Sequence, residues 1–165
     1  IRFGSMKTKD YEYEMVLLRD LDFGFSELKF TEGYDPENEL NYDELIATQY
    51  LISSDQEIIL ISLDYKLRHP GSEEHFASVV LTAGFKLLNF KDKLDEEGKL
   101  IVDPIFAATL LGVVYSTLRG VWHEKFRDTS IDRYIIPVIN PMNLDFNLVY
   151  QPPVSQDAEK ATEEA

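Results

Sequence analysis

Three histidines, His69, His75 and His123, are the side chains here best suited to metal ligation or proton transfer. His69 and His75 bracket the turn HPGSEEH, which also carries Glu73 and Glu74. Imidazole and carboxylate could share a cation there, but the spacing matches no zinc knuckle or helical metal motif. The pair reads as exposed turn histidines. His123 and Glu124 are chain neighbours, and neighbours on a helix do not face each other, so they read as a solvated helix end. Asp20 and Asp22 in RDLDF are two apart, which on a regular strand puts both carboxylates on one face. Paired carboxylates can serve acid–base chemistry when a partner is positioned beside them, and none follows from the sequence. GxSxG, a phosphate-cradling glycine loop and HExxH are all missing. The expectation is a binding protein and not an enzyme, with no catalytic residue, metal or cofactor.

With 165 residues and 44% hydrophobic side chains, the chain suits one domain with a sizeable core. IRFGS before Met6 reads as a vector remnant, residues 6–150 as the domain, and 151–165 as a disordered acidic tail without core residues. The chain has no cysteine, and no apolar run approaches the roughly 20 residues of a membrane helix. A cytoplasmic location is expected. The formal charge of −14 repels phosphate backbones, so nucleic acid is an unsuitable partner. Acids crowd the stretch from Asp20 to Glu44, where Lys29 is the only base. Such a stretch serves as a solubilising loop or as a dock for basic segments.

The elements follow from hydrophobic periodicity. Tyr11, Tyr13, Met15 and Leu17 alternate, and the pattern extends to Phe23 as a first strand. Ser26 to Asn41 reads as a long crossing loop broken by Gly33 and Pro36 and decorated by Phe25, Phe30 and Tyr34. Leu45 to Ile52 is a weaker strand, Glu57 to His69 a strong one, and His75 to Phe90 its antiparallel partner. Gly84 marks a bulge or a close backbone approach. A long helix then runs from Ile105 to about Arg127, with Asp103 as cap and Pro104 in its first turn. Its apolar stripe is Phe106, Leu110, Val114, Leu118, Val121 and Trp122. Ala108, Gly112, Ser116 and Gly120 form a second stripe of small residues. That stripe suits close approach of a helix from a second copy of the chain, or packing within the same subunit. Asn140-Pro141 should open a short terminal helix bearing Leu144, Phe146, Leu148 and Tyr150.

This order of elements resembles the SecB-type protein-export chaperones. YEYEMVLLRDLDF from Tyr11 to Phe23 is similar to the family's first strand, and HFASVVLTAGFKL to its strand with a glycine before an apolar pair. In YSTLR and IIPVIN, Arg119 and Asn140 fall where the family has its helix Arg and its Asn. The likeness spans about Tyr11 to Tyr150. It implies an α+β fold with a four-stranded antiparallel sheet on one long helix plus a short C-terminal helix. It also implies an ATP-independent holdase, assembled as a dimer of dimers, that takes unfolded polypeptide clients in apolar grooves.

By position, Phe25, Phe30, Tyr34, Phe146, Leu148 and Tyr150 are the groove candidates, and Ala108, Gly112, Ser116 and Gly120 the oligomer helix interface. Asp20 matches an acid that docks the export translocase motor, SecA, while Gly24 and Val79 stand where the family would place Glu. A SecB-like chaperone of a toxin–antitoxin system, or another interaction protein unconnected with export, is the alternative. A hot-dog-like thioesterase or dehydratase is a further one, although in that fold the long helix comes before most of the strands.

Overall fold

The computed structural model describes residues 6–8, 11–144 and 148–151, of which 6–8, Leu21 and 148–151 are described by backbone alone. The expected remnant at 1–5, Phe146 and the tail beyond Gln151 lie outside the described residues. The fold is α+β. Its sheet contains β1 (Met6–Thr8), β2 (Tyr11–Phe25), β3 (Asp43–Ser53), β4 (Ile58–Arg68), β5 (His75–Leu87) and β6 (Leu148–Gln151). The strand order is β1-β2-β5-β4-β3-β6, antiparallel throughout except where β6 joins β3 in parallel. The four strands expected from the sequence form the centre, and a short strand closes each side.

Side-chain alternation in β4 is regular. Ile59, Ile61, Leu63, Tyr65 and Leu67 are buried, while the residues between them are half-buried on the other face. Opposite them on β5 stand Phe85, Ala83, Leu81, Val79 and Ala77, giving one continuous apolar face. That face receives α2 (Pro104–Lys125), whose Asp103 carboxylate caps the backbone N–H groups of Ile105 and Phe106. Phe106, Leu110, Val114, Leu118 and Trp122 bury their side chains there, and Val121 is half-buried. Helix α2 is long and apolar enough to cross a membrane, but half of that span is buried inside this fold. The sheet beneath it accounts for the buried half.

Two expectations are corrected. Within the supposed crossing loop of Ser26 to Asn41, Glu27–Gly33 form a helix, α1, capped by Ser26, and Pro36–Asn38 a 3-10 turn. The supposed terminal helix is only a 3-10 turn at Pro141–Asn143, and Leu148–Gln151 pair as β6. Asn140 does cap that turn, its Oδ1 accepting from the Met142 N–H at 3.1 Å. Between Lys125 and the turn the chain doubles back beside α2 as a strap. The Tyr115 hydroxyl donates to the Pro137 carbonyl and Arg119 Nε to the Ile136 carbonyl, each at 3.0 Å.

Candidate functional site

Helix α1 is anchored by one side chain, Phe30, its only buried residue. Phe30 sits among Phe25 (6.2 Å between ring centroids), Tyr34 (5.5 Å), Phe76 (5.3 Å), Tyr42 (6.3 Å) and His69 (5.7 Å). Three groove candidates, Phe25, Phe30 and Tyr34, are therefore brought together, though Phe30 is the centre of a buried cluster and Tyr34 its exposed member. Leu148 pairs with Tyr50, seven residues along β3 from Asp43, and Tyr42 immediately precedes that start. The strand rise puts β6 roughly 23 Å from this end of β3. One chain does not join Leu148 and Tyr150 to the aromatic cluster.

His69 is the residue the sequence placed wrongly. It was expected in an exposed turn, yet it is 8% exposed, with Nε2 donating to the Phe30 carbonyl at 2.8 Å. Gly33 permits this. A Cβ built there would stand 2.2 Å from His69 Cδ2 and 2.6 Å from Cγ. His75 is exposed at the start of β5, and among the described residues no three His, Asp or Glu side chains form a metal-holding group.

Two cavities meet at this ring. One, about 210 Å³, is lined by Tyr34, Asp35, Asn38, Asn41, Tyr42 and His69 among others. The second, about 270 Å³, is lined by Lys29, Glu32, Ser72 and Glu74, and shares Gly33 and His69 with the first. Asp35 accepts from the Glu37 N–H at 3.0 Å and from Asn38 Nδ2 at 2.6 Å. The Asn38 side chain foremost, and that backbone bond, hold its carboxyl below the usual range. Burial pushes the Tyr42 hydroxyl up.

A second polar feature was not legible in advance. The Tyr134 hydroxyl donates to Glu44 Oε1, so its single proton is committed. Tyr65 must then donate to Tyr134 across the 3.1 Å between their oxygens. Burial is the leading cause raising both hydroxyls, which keeps the relay neutral up to its carboxylate end.

No family model matches this chain, and no curated protein matches it. A solved structure of a protein of unknown function from Streptococcus agalactiae aligns with a TM-score of 0.34 at 9% identity, over 78% of this chain and 98% of that one.

The remaining candidates divide. Of the small-residue stripe, Ala108 is buried within its own subunit and Gly112 lies under the 3-10 turn that follows the strap, 3.4 Å separating a built Cβ from Pro141 Cγ. Ser116 and Gly120 are exposed, and nothing lies within 4 Å of a Cβ at Gly120. Asp20 does not share a face with Asp22. The β2–β5 register shifts between them, so Asp20 opposes Leu81 on the helix side and Asp22 opposes Val80 on the outer side. Asp20 pairs with Lys125 at 2.8 Å, and the hydrogen bond from Lys125 holds its carboxyl low.

Proposed function

We propose that this protein is a SecB-like, ATP-independent holdase that assembles as an oligomer and binds nonnative polypeptides on apolar surface. One observation carries the reading. Ile105 on α2 and Ile135 and Val138 on the strap are 70%, 73% and 78% exposed, in a chain of charge −14. Isolated apolar side chains on a surface are ordinary. Ile135 and Val138 are close neighbours on the strap, and apolar side chains this exposed suit association with other apolar chains. Burial of client surface contributes about 25 cal/mol per Å² of apolar area. Acidic charge keeps the loaded complex soluble. Several such surfaces on one oligomer add through effective concentration.

Ser116 and Gly120 support the oligomer, since they leave part of α2 open to close approach. The position of Asp20 favours the version of this function without the export motor. Its carboxylate is engaged by Lys125 on the helix side of the sheet, whereas the resemblance implies docking acids on the outer sheet face. The test is suppression of aggregation of a denatured client at stoichiometric ratio without ATP, with mass in solution measured in parallel. A monomer without effect refutes the proposal. Titration with the translocase motor SecA then separates the versions, and binding would restore the export reading.

A further inference from the structure

We propose that the cavity between Tyr34, Asp35, Tyr42 and His69 is a binding site for a cationic head group bearing only hydrogen-bond donors, a guanidinium or a primary ammonium. At about 210 Å³ it is smaller than the roughly 300–1,000 Å³ typical of drug-sized ligands. Its scale is that of a head group.

The acceptors define the chemistry. A carbonyl oxygen can only accept, so the bond to Phe30 places the proton of the neutral His69 ring on Nε2. Nδ1 then presents a lone pair, and no described residue donates to it. His69 is more than nine-tenths buried and forms a wall of the cavity. The Nδ1 atom itself is not sealed off, so an incoming donor can reach the lone pair from solvent. Asp35 adds two carboxylate oxygens, each accepting one hydrogen bond from its own turn and each with capacity for another. Tyr34 and Tyr42 line the cavity, and aromatic rings beside a bound cation attract it through their quadrupoles.

Charge points the same way. From Glu27 to Glu44 there are seven carboxylates and one base, Lys29, which is taken up by Glu74 at 3.3 Å in the neighbouring cavity. An anion is repelled here. A neutral apolar group would leave the lone pairs of His69 and Asp35 unmet, whereas a donor-only cation satisfies both. This site needs no holdase activity, and it stands or falls independently of that function.

The experiment is a titration of the full chain followed by amide NMR, with argininamide as probe and citrullinamide as its neutral near-isostere. Argininamide at millimolar concentration is expected to shift amides of residues 33–42 and 69–72, while citrullinamide leaves them unmoved. Asp35→Asn keeps the capping oxygen but removes the charge, and Tyr34→Ser removes an exposed ring, so both variants should fold. Each should weaken argininamide by roughly threefold or more.

A short blocked peptide containing one arginine distinguishes the sources. Tighter binding than argininamide assigns the site to polypeptide side chains, and equal or weaker binding assigns it to free small cations. Both outcomes uphold the chemistry. Equal shifts from citrullinamide, wild-type affinity in both variants, or no shift of these amides at millimolar argininamide would overturn it.

Discussion

Gly33→Ala should destabilise the protein, although the backbone and helix propensity both favour the substitution. Gly33 ends α1 and is not among the positive-φ residues, so alanine is conformationally allowed and would contribute up to about 1 kcal/mol as the better helix former. Against this, the added methyl would sit 2.2, 2.6 and 2.9 Å from Cδ2, Cγ and Nε2 of His69. The ring cannot simply turn aside. It lies 4.7 Å from the Phe76 centroid and 5.8 Å from that of Tyr42, and it is tied to the Phe30 carbonyl.

Overpacking costs about 1–3 kcal/mol, and loss of the hydrogen bond adds about 1 kcal/mol. With the propensity gain subtracted, the net is about 2 kcal/mol, or roughly 4–8 °C in Tm for a chain of this length. Urea unfolding should show a lower midpoint at unchanged slope. In a His69→Ala background the methyl meets empty space, and the same substitution should become neutral or mildly stabilising. An equal loss in both backgrounds, or a gain in the wild type, refutes the reasoning.

Alkaline pH should unfold the protein. Tyr50, Tyr65, Tyr134 and Tyr115 are buried, and burial raises all four hydroxyls, Tyr115 up to about 12. Because the folded values lie above the unfolded value near 10, their contribution is complete below pH 10. It is lost above that at about 1.4 kcal/mol per pH unit for each tyrosine. Urea midpoints that stay flat from pH 9 to 11 would contradict this. Glu57 closes the β3–β4 hairpin at φ 56°, so Glu57→Gly should stabilise by about 1 kcal/mol in thermal unfolding, and a loss would show that the turn is unstrained. Arg119→Met removes the charged donor to Ile136, worth about 1.5–3 kcal/mol, and should speed amide exchange across residues 134–140 by about tenfold or more. Unchanged exchange would mean that other contacts hold the strap. Val138→Asp alters an exposed side chain and should leave stability intact while lowering aggregation suppression or oligomer mass, and no change in either measurement would count against the proposed holdase surface.

The central strands and α2 were legible because each is long enough to display its period. β4 alternates over eleven residues, and α2 carries its apolar stripe through 22. Helix α1 has seven residues and buries only Phe30, so two turns offered no repeat to read. The terminal helix was a misread period. Leu144, Phe146, Leu148 and Tyr150 recur every second residue, which is the spacing of a strand, and the capping signal at Asn140-Pro141 started only a three-residue turn. His69 was hidden for another reason. Its burial depends on Phe30 and Tyr42, distant in sequence, closing over it with Gly33 making room. In β2 the error was parity. Extra residues at Val16 and Leu21 each shift the register once, so Leu18 and Asp20 face the helix while Leu17 and Arg19 face away. The second shift cancels the first before Phe23, which is why the alternation looked unbroken from end to end.

Those two bulges also fit the strand to the helix. β2 grips α2 at both ends, with Tyr11 stacked on Phe106 at 3.9 Å and Phe23 against Phe126 at 5.0 Å. From Phe106 to Phe126 the helical rise gives about 30 Å. A regular strand from Tyr11 to Phe23 would cover about 40 Å, whereas removing the two bulged steps leaves about 33 Å. The second grip is thereby brought to the C-terminal end of α2, and the same change of parity delivers Asp20 to Lys125. Edge protection follows from the same geometry. Past Tyr13, β2 has no described partner on its outer side, and there it is interrupted by both bulges and carries Arg19, Asp20 and Asp22. Bulges and charges oppose pairing with another strand. The other side of the sheet ends in the four-residue β6. A second copy joining by strand extension would have to undo the bulges that seat α2, while one joining through Ser116, Gly120 and the exposed strap would disturb neither.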